Sequence, residues 1–365
     1  MPRYAALICK QLPVGWAERS EAQHTDSHTM QHIRADHPPA TASRRGTQRA
    51  AAPLISPGGP AHFSLDQPTA YARWRDSKLA AYPLDPSVLW VQIDRPGGLC
   101  RDEHRALTER CSAFNLVFYT TRRHEDLTSA ELRALGHQLG LGILDHNLCG
   151  EADGIAAIRV VEDGPAGEYI PYTNRPLNWH TDGYYNPIDA PIRGVIMHCV
   201  RQAASGGDSR FLDHEIAYIL LRDENPAYVE ALMTPDAMTI PANMDGERCL
   251  RPDRSGPVFS VNPRDGRLHM RYTARQRSVV WKAGAAAEAT AYLLECLGGG
   301  SRYITRVRLA PGQGVICNNV LHARSAFHDH DGAGGERLLW RARYRDRVAG
   351  DASAAASPAP GAKSC

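Results

Sequence analysis

The sequence lacks any long apolar segment. Over its 365 residues no stretch approaches the roughly 18 consecutive apolar residues of a membrane-spanning helix. At the N-terminus only residues 5–9 form an apolar run, which is too short for the apolar region of a secretory signal. We therefore expect neither a membrane partner nor export.

An excess of charge of one sign is lacking as well. Lys and Arg together number 42 and Asp and Glu 40, which gives a formal net charge of +2 at pH 7. A nucleic-acid-binding domain usually carries a clustered excess of basic residues. Nucleic acid is therefore not expected as the main partner.

The cysteines show no pairing pattern. All nine stand singly, without a C-x-x-C pair, at positions 9, 100, 111, 149, 199, 249, 296, 317 and 365. This usage is typical of a reducing compartment, so we expect a cytoplasmic protein. Residues 31–55 are rich in Arg, Ala, Ser and Pro, and an organellar transit peptide is the alternative for this stretch.

Both ends of the chain lack a sustained hydrophobic period. Residues 1–61 mix His, Thr, Arg, Pro and Gly, and residues 349–365 are mostly Ala, Ser, Pro and Gly. Neither stretch can bury enough apolar surface to order itself, so we expect a disordered extension and a disordered tail. Residues 14–24 resemble translated bacterial intergenic repeats, which would make Met30 or a later codon the true start. One folded domain is expected over 62–348.

Helical patterns come first within this domain. Helices are predicted over 70–81 and 101–111, and a strand over 114–120. Thr128 and Glu131 form a capping box that starts a third helix. Further helices are predicted at 215–222 behind an N-cap at 213, from residue 226, and at 285–297.

After residue 154 the pattern changes to many short β-rich runs. They are predicted at 155–161, 192–200, 208–212, 258–261, 268–273, 279–282, 303–309, 314–321 and 338–344. So many short strands indicate a sandwich or jelly roll. The expected fold class is mainly β, with a jelly-roll core and flanking α-helices.

A possible metal-binding motif, H-x-D, lies at His180 and Asp182. On a strand, positions i and i+2 project from the same face, so imidazole and carboxylate would converge on one point. A second His from a distant strand would complete the two-His, one-carboxylate set that leaves open positions on non-haem Fe(II). The other H-x-D copies, at His24 and His124, lie in polar stretches without a strand frame. A hydrogen-bonded surface pair is the alternative at His180.

The best candidate for the distant ligand is His322. It ends an apolar run from Val315 to Leu321, so it should be buried or face a cleft. His328 and His330 are the competing candidates, but their Asp- and Gly-rich surroundings predict a loop. A satisfied core histidine is the alternative for His322.

Arginines alternate along the last predicted strand. Arg337 and Arg341 share a face with Leu339, and Arg343 and Arg345 continue it. A guanidinium that enters a core needs a carboxylate partner, which a dicarboxylic ligand would supply. A solvent-facing basic stripe is the alternative.

Taken together, these motifs resemble the taurine dioxygenase family, which includes γ-butyrobetaine hydroxylase-like members. The resemblance covers residues 62–347 and rests on the order and type of Trp179-His180-Thr181-Asp182, Gly206-Gly207-Asp208-Ser209, Leu309-Ala310-Pro311-Gly312, Asn319, Leu321-His322-Ala323-Arg324, Phe327 and Arg337-Leu338-Leu339-Trp340-Arg341.

The resemblance implies a double-stranded β-helix core and a dioxygenase that uses Fe(II) and 2-oxoglutarate. It implies that Fe(II) binds to the two histidines and Asp182, and that 2-oxoglutarate and dioxygen occupy the remaining positions. Arg337 would hold the far C5 carboxylate, Arg341 would lie near the C1 carboxylate, and Ser209 would assist at the C5 end, where the family more often has Thr. The implied reaction hydroxylates a substrate and releases succinate and CO2. Related halogenating enzymes lack the acidic ligand, so Asp182 argues against that branch.

The substrate is the least defined feature. Asn178, Tyr184, Tyr185 and Tyr172 flank the metal motif, and an aromatic cluster of this kind can bind a quaternary ammonium. The broader expectation is a small anionic or zwitterionic metabolite. Its carboxylate or sulfonate could be held by two further arginines, Arg271 and Arg275, for which simple solvation is the alternative.

Two other classes of protein compete with the dioxygenase. A jelly-roll module that binds a metal or small ligand without turnover would share the metal-binding triad, but the two arginines favour the enzyme. A zinc hydrolase is disfavoured because the sequence has no H-E-x-x-H motif. A homo-oligomer is compatible with helices on a jelly roll.

Overall fold

The computed structural model describes residues 60–122, 127–145, 154–161, 169–275, 279–332 and 334–348. The predicted tail, nearly all of the predicted N-terminal extension, and the H-x-D copies at His24 and His124 lie outside these residues.

The helices begin and end close to their predicted positions. They are α1 (Pro68–Ala81), α2 (Arg101–Phe114), α3 (Ser129–Gln138), α4 (His214–Glu224), α5 (Pro226–Leu232) and α6 (Ala285–Gly298). The capping box of Thr128 and Glu131 is present at the start of α3, and the Asp213 side chain caps α4. Helix α2 runs three residues further than predicted and ends where Asn115 adopts a left-handed conformation, with φ 60°.

Short strands make up most of the remaining regular structure, so the chain is mainly β with flanking helices, as predicted. They are β1 (Trp90–Ile93), β2 (Leu116–Thr121), β3 (Ile155–Ile158), β4 (Leu177–His180), β5 (Gly194–Arg201), β6 (Ser205–Gly206), β7 (Ser209–Leu212), β8 (Met238–Ile240), β9 (Asn243–Asp245), β10 (Arg248–Arg251), β11 (Arg254–Gly256), β12 (Phe259–Val261), β13 (Leu268–Met270), β14 (Val280–Trp281), β15 (Thr305–Val307), β16 (Gln313–Cys317), β17 (Leu321–Arg324), β18 (Phe327–His328) and β19 (Leu338–Tyr344).

Two sheets form the centre of the fold. The larger has six strands in the order β1-β2-β16-β5-β19-β3, and the smaller has four in the order β15-β7-β17-β4. Within the larger sheet only the β1–β2 pair is parallel. Side chains from both sheets, among them Phe118 of β2 and Phe211 of β7, pack into one apolar cluster, with ring centroids 5.5 Å apart. The inner faces of the two sheets therefore pack against each other.

The strands alternate between two environments, as expected for sheets covered on both faces. On the outer face of the larger sheet, Val117 and Tyr344 pack with residues of α2 and α3. Tyr119 lies on the same outer face, where its hydroxyl is 2.9 Å from Nδ1 of His198. On the smaller sheet, Leu321 and neighbouring outer residues pack with α4 to α6.

The strand predicted over 314–321 is wrong as a single element. The chain forms β16, turns through 318–320 and re-enters the smaller sheet as β17. Asn319 causes this turn by adopting φ 51°, a conformation that Asn tolerates better than most residues. His322 therefore lies inside β17 and not at the end of an apolar strand.

A buried ionic cluster joins α1 to the start of α4. The Lys78 ammonium lies 2.7 Å from Asp213 and 2.6 Å from Glu215, and all three side chains are largely buried. By contrast, the pair formed by Lys282 and Asp236 is on the surface. The buried cluster therefore attaches the N-terminal helix to the core.

The described cysteines agree with the prediction of free thiols except at Cys100. Cys111, Cys199, Cys249, Cys296 and Cys317 are free thiols, as expected, but Cys100 is disulfide-bonded, which the expectation of singly standing reduced cysteines did not include. Among the helices in the described ranges, none is long and apolar enough to cross a membrane.

Candidate metal and co-substrate site

Two histidines from neighbouring strands meet on the inner face of the smaller sheet. His180 ends β4 and His322 lies in β17, and the two are directly opposite in the antiparallel register. Their rings are buried, with centroids 4.3 Å apart. The flanking Trp179 and Leu321 point the other way into the helix-covered core, so alternation along each strand turns the imidazoles inward.

Asp182 lies beside the two histidines, but it is not on the strand face where it was predicted. Strand β4 ends at His180, so Asp182 lies in the following turn and not on the same strand face. Asn319 holds this turn: its side chain accepts a hydrogen bond from the Asp182 amide at 2.8 Å and donates to the Asp182 carbonyl at 2.9 Å. A second donation, to the carbonyl of Ile192 at 2.7 Å, ties the turn to the chain that leads into β5.

The three side chains have the geometry of a metal site. One ligand atom from each of His180, Asp182 and His322 lies within 4.8 Å of the other two. Nδ1 of His180 is 2.8 Å from the carbonyl of Asn178, and Nδ1 of His322 is 2.9 Å from the carbonyl of Val320, which leaves Nε2 of each ring as the metal-facing atom. Asp182 Oδ2 is buried without a hydrogen-bond partner among the described residues. These donors fit an Fe(II) ion.

The electrostatics favour the protonation states that bind metal. Burial and the nearby His322 lower the pKa of His180 to about 3, so its imidazole is neutral near pH 7. Burial alone would raise the pKa of the Asp182 carboxyl, but the Arg341 guanidinium and His322 outweigh it and hold that pKa below its ordinary value. A neutral imidazole and an ionised carboxylate are the ligand forms of these side chains.

A chain of buried charges runs along the inner face of β19. Arg341 lies 3.3 Å from Asp182, and its Nε is buried without a partner among the described residues. Two residues further, Arg343 donates to Asp145 at 2.7 Å and to the Tyr185 hydroxyl at 3.0 Å. Arg345 follows the end of the strand and is half exposed, and its guanidinium lies 3.8 Å from the same Asp145.

Arg337 lies in a separate small pocket just before β19. Its side chain is buried, and no carboxylate of the described residues pairs with its guanidinium. The guanidinium lies over the Phe327 ring, 5.1 Å from its centroid. Gly207 and Ser209 line the same pocket, and a Cβ at position 207 would be only 3.5 Å from Arg337 Nε. Arg337 is therefore a buried cation without a paired carboxylate in the described part of the chain.

Arg324 keeps this end of the smaller sheet in place. It is buried on β17 and donates to the carbonyls of Thr173 and Arg175 at 2.8 and 2.6 Å. Its guanidinium covers the Phe327 ring at 4.9 Å, on which Arg337 also lies. The chain entering β4 is thereby fixed to the strand that carries His322.

The predicted substrate residues are placed in different surroundings. Tyr185 is half buried and bound by Arg343, whereas Tyr184 is buried in the apolar core beside it, with ring centroids 5.2 Å apart. The Asn178 residue is exposed, although its carbonyl orients His180. Arg275 is half buried, and its backbone amide donates to Thr273. Tyr172 is buried near Arg341. Their contacts with a substrate stay a prediction.

Arg271 does not have the solvated surface position that was the alternative considered for it, and its contact with a substrate anion stays a prediction. It is buried, and it donates to the carbonyls of Tyr184, Met238 and Arg254 at 2.6, 3.0 and 2.8 Å. Its guanidinium thus links three segments of backbone and is not solvated on the surface. The short β-rich run around Arg271 gave no indication of these long-range hydrogen bonds.

Two residues that shape the site had no assigned role in the sequence. Asp145 lies in a loop, and nothing in its neighbourhood predicts contact with Arg343, almost two hundred residues away. Asn319 belongs to the family-like pattern, but its hold on the Asp182 turn depends on the left-handed turn between β16 and β17. The signal available for Asn319 was its residue type in an otherwise apolar run.

Residues 121–343, more than half of the chain, match the family described as taurine catabolism dioxygenase TauD, TfdA family. The chain belongs to the TauD/TfdA family.

Individual relatives of this TauD/TfdA chain match over shorter stretches. Uridine-5'-phosphate dioxygenase from an Amycolatopsis species is 32% identical over 174 residues, which are 46% of this chain and 60% of the relative. Trimethyllysine dioxygenase from Meyerozyma guilliermondii is 26% identical over 111 residues, 30% of this chain and 27% of the relative. The match thus spans less than two thirds of either relative.

A taurine dioxygenase from Burkholderia xenovorans superposes with a TM-score of 0.47 and 20% sequence identity, covering 70% of this chain and 85% of that chain.

Proposed function

We propose that residues 62–348 form a double-stranded β-helix dioxygenase that uses Fe(II) and 2-oxoglutarate to hydroxylate a small anionic or zwitterionic metabolite. The observation that carries the proposal is the convergence of the inward-facing atoms of His180, Asp182 and His322 within 4.8 Å. Family membership supports the same assignment. The proposal includes a cytoplasmic location, which the free thiols favour and the disulfide-bonded Cys100 does not, and which fractionation of the producing cell would test.

In this proposal the metal is held by the two histidines and Asp182. When bound, Fe(II) and 2-oxoglutarate would supply the oxidising chemistry that couples release of succinate and CO2 to hydroxylation of a C–H bond by dioxygen. The protein supplies the orientation: each imidazole is fixed by a strand carbonyl, and the Asp182 turn is fixed by Asn319. These contacts hold the ligand set in place before any ligand binds.

Arg337 and Arg341 would orient 2-oxoglutarate. Arg337 is buried beside Ser209, so it suits the far C5 carboxylate, which a guanidinium can bind through two parallel hydrogen bonds. Arg341 touches Asp182 and has a free, buried Nε, so it suits the carboxylate end nearer the metal. Ser209 offers a hydroxyl donor at the C5 end.

The charges near the metal support an anionic group on the substrate. On the inner face of β19, Arg341 and Arg343 pair with Asp182 and Asp145, and the buried Arg337 just before the strand has no paired carboxylate among the described residues. A divalent metal and the dianion of 2-oxoglutarate would cancel each other, so a net positive charge remains for the substrate to balance. The name of the Amycolatopsis relative, which refers to a phosphorylated substrate, agrees with this preference.

A panel of anionic and zwitterionic metabolites, read by succinate release with Fe(II), ascorbate and dioxygen, tests the proposal. We expect at least one substrate to raise succinate release, and we expect H180A and D182A to abolish it. H328A is the matched control because His328 is exposed on β18. Full turnover in H180A and D182A would contradict the proposal. Metal-dependent binding of 2-oxoglutarate without turnover for any substrate would instead favour the non-catalytic module.

A further inference from the structure

A second concave surface lies behind the Asp182 turn. It is an open cleft of about 240 Å³, lined by residues between 181 and 193 on one side and by residues of the β12–β13 hairpin on the other. None of its lining residues belongs to the pocket that contains Arg337 and Ser209. The cleft is therefore distinct from the Arg337 pocket, while Asp182 in its lining makes it a neighbour of the proposed metal site.

Three nitrogen-rich side chains face this cleft: Arg193, His269 and Arg271. Arg193 forms no side-chain hydrogen bond or ion pair with any described residue, and its Nε is buried from solvent. His269 is half buried, and its ring likewise has no hydrogen-bond partner in the described ranges. A donor that is withdrawn from water without an acceptor, as Arg193 Nε is, is costly, and a ligand in the cleft would supply the missing acceptor.

Among the described residues that line the cleft, no unpaired carboxylate is present to neutralise its arginines. Arg271 donates only to backbone carbonyls, which satisfy its hydrogen bonds but do not neutralise its charge. The carboxylate that contributes to the lining is Asp182, and this group is already paired with Arg341. Burial and then the surrounding basic side chains, Arg193 among them, lower the pKa of His269 to about 3. The electrostatic surroundings of the cleft are therefore positive.

We propose that this cleft is a second oxyanion-binding site, which takes a phosphate or carboxylate group between Arg193, Arg271 and His269. A planar guanidinium binds either group through paired hydrogen bonds, and Asn186, Ser260 and Asn262 in the lining add neutral polar contacts. Binding at this site needs neither metal nor 2-oxoglutarate, and only its assignment to the oxidised substrate rests on the proposed function. The oxyanion belongs either to the oxidised substrate or to a separate small metabolite.

The site would be connected to the metal-ligand turn. Arg193 directly follows Ile192, whose carbonyl is bound by Asn319, and the same Asn319 holds the amide of Asp182. The Arg193 amide in turn donates to the Tyr344 carbonyl at the end of β19. An anion bound at Arg193 would thus contact the segment that fixes the position of Asp182.

Calorimetric titration of the full-length, metal-free protein with inorganic phosphate at constant ionic strength tests the proposal, with acetate as the carboxylate probe. We expect saturable binding by at least one probe, weakened about tenfold in R193M by the loss of charge-assisted hydrogen bonds. H269Q, which keeps a polar side chain of similar reach, should weaken binding less. R264M is the matched control: it removes an exposed arginine from the same hairpin and should leave the affinity within about twofold.

Several outcomes would overturn the proposal. These are the absence of saturable binding by both probes, equal affinity in R193M, or binding that is lost in R337M and kept in R193M, which would place the anion in the other pocket. If R193M fails to fold by circular dichroism, H269F takes its place, and unchanged affinity there counts against the site. In turnover assays, competition of phosphate with the oxidised substrate assigns the site to the substrate's own anionic group. Binding without competition assigns it to a separate metabolite.

Discussion

Replacing Arg337 with Met is the most direct test of the proposed 2-oxoglutarate site. Arg337 is 6% exposed, and among the described residues no carboxylate pairs with its guanidinium. Burial lowers the pKa of Arg337, which reflects the cost of keeping this cation away from water. A ligand carboxylate would relieve that cost, whereas Met would keep the volume of the side chain and remove its charge.

The expected loss of affinity follows from the geometry of a guanidinium and a carboxylate. Two parallel charge-assisted hydrogen bonds contribute about 1.5–3 kcal/mol each. Desolvation of both charges offsets part of this, which leaves about 2–4 kcal/mol for binding. At about 1.4 kcal/mol per tenfold change, the Kd for 2-oxoglutarate should rise about 30- to 700-fold in R337M.

Anaerobic calorimetry with Fe(II) and 2-oxoglutarate measures this change. R306M is the matched control, because Arg306 is exposed on β15 of the same small sheet, and we expect less than a threefold change there. The Kd for 2-oxoglutarate in R337K should lie between the values for R306M and R337M, because Lys keeps the charge but cannot form the paired hydrogen bonds. An affinity for 2-oxoglutarate within a factor of three of wild type in R337M would refute the assignment of this pocket.

Three further predictions concern other contacts. In F327L, loss of the ring under Arg337 should weaken 2-oxoglutarate binding about 3- to 10-fold by the same calorimetry. K78M should lower the free energy of unfolding by about 3–5 kcal/mol in urea titrations, because two buried carboxylates lose their ammonium partner. The surface variant K282M should lower it by less than about 1 kcal/mol. Burial lowers the pKa of His198 to about 4, so its stabilising contribution is complete above about pH 6.5 and is lost as the pH falls towards 4. Between pH 7 and pH 5, the free energy of unfolding should therefore fall by about 2 kcal/mol less in H198Q than in wild type.

Each of these predictions has a clear negative result. Unchanged 2-oxoglutarate affinity in F327L would mean that the ring does not position the arginine. Equal losses in K78M and K282M would mean that the buried cluster is no more stabilising than a surface pair. Parallel urea midpoints against pH for wild type and H198Q would remove the histidine as a source of acid sensitivity.

The sequence predicted the regular parts of the fold well because each relied on a local signal. The capping box at Thr128, the Asp213 cap and the alternation through β19 depend on residues a few positions apart. The split of the 314–321 run could not be predicted from its apolar pattern. It depends on Asn319 adopting a left-handed conformation, which hydrogen bonds to a distant turn make favourable.

The residues of the candidate site likewise fall into two groups, those whose position follows from local spacing and those whose position depends on long-range contacts. The inward direction of His180 and His322 follows from alternation on strands, which sequence spacing can indicate. The position of Asp182 depends on a turn, and the partners of Arg271 and Arg343 are backbone carbonyls and a loop aspartate far away in sequence. Such long-range polar contacts leave no periodic pattern, so spacing alone could not reveal them.

The bond from each metal-facing histidine to the carbonyl two residues before it has a consequence for how this protein could change. Because each ring takes its tautomer and orientation from its own strand backbone, no pocket side chain is needed to aim it. The wall around the substrate and the metal-binding groups are then separate sets of residues. If Tyr185 and its neighbours line the substrate cavity as predicted, directed evolution could alter them while the histidine geometry is inherited unchanged.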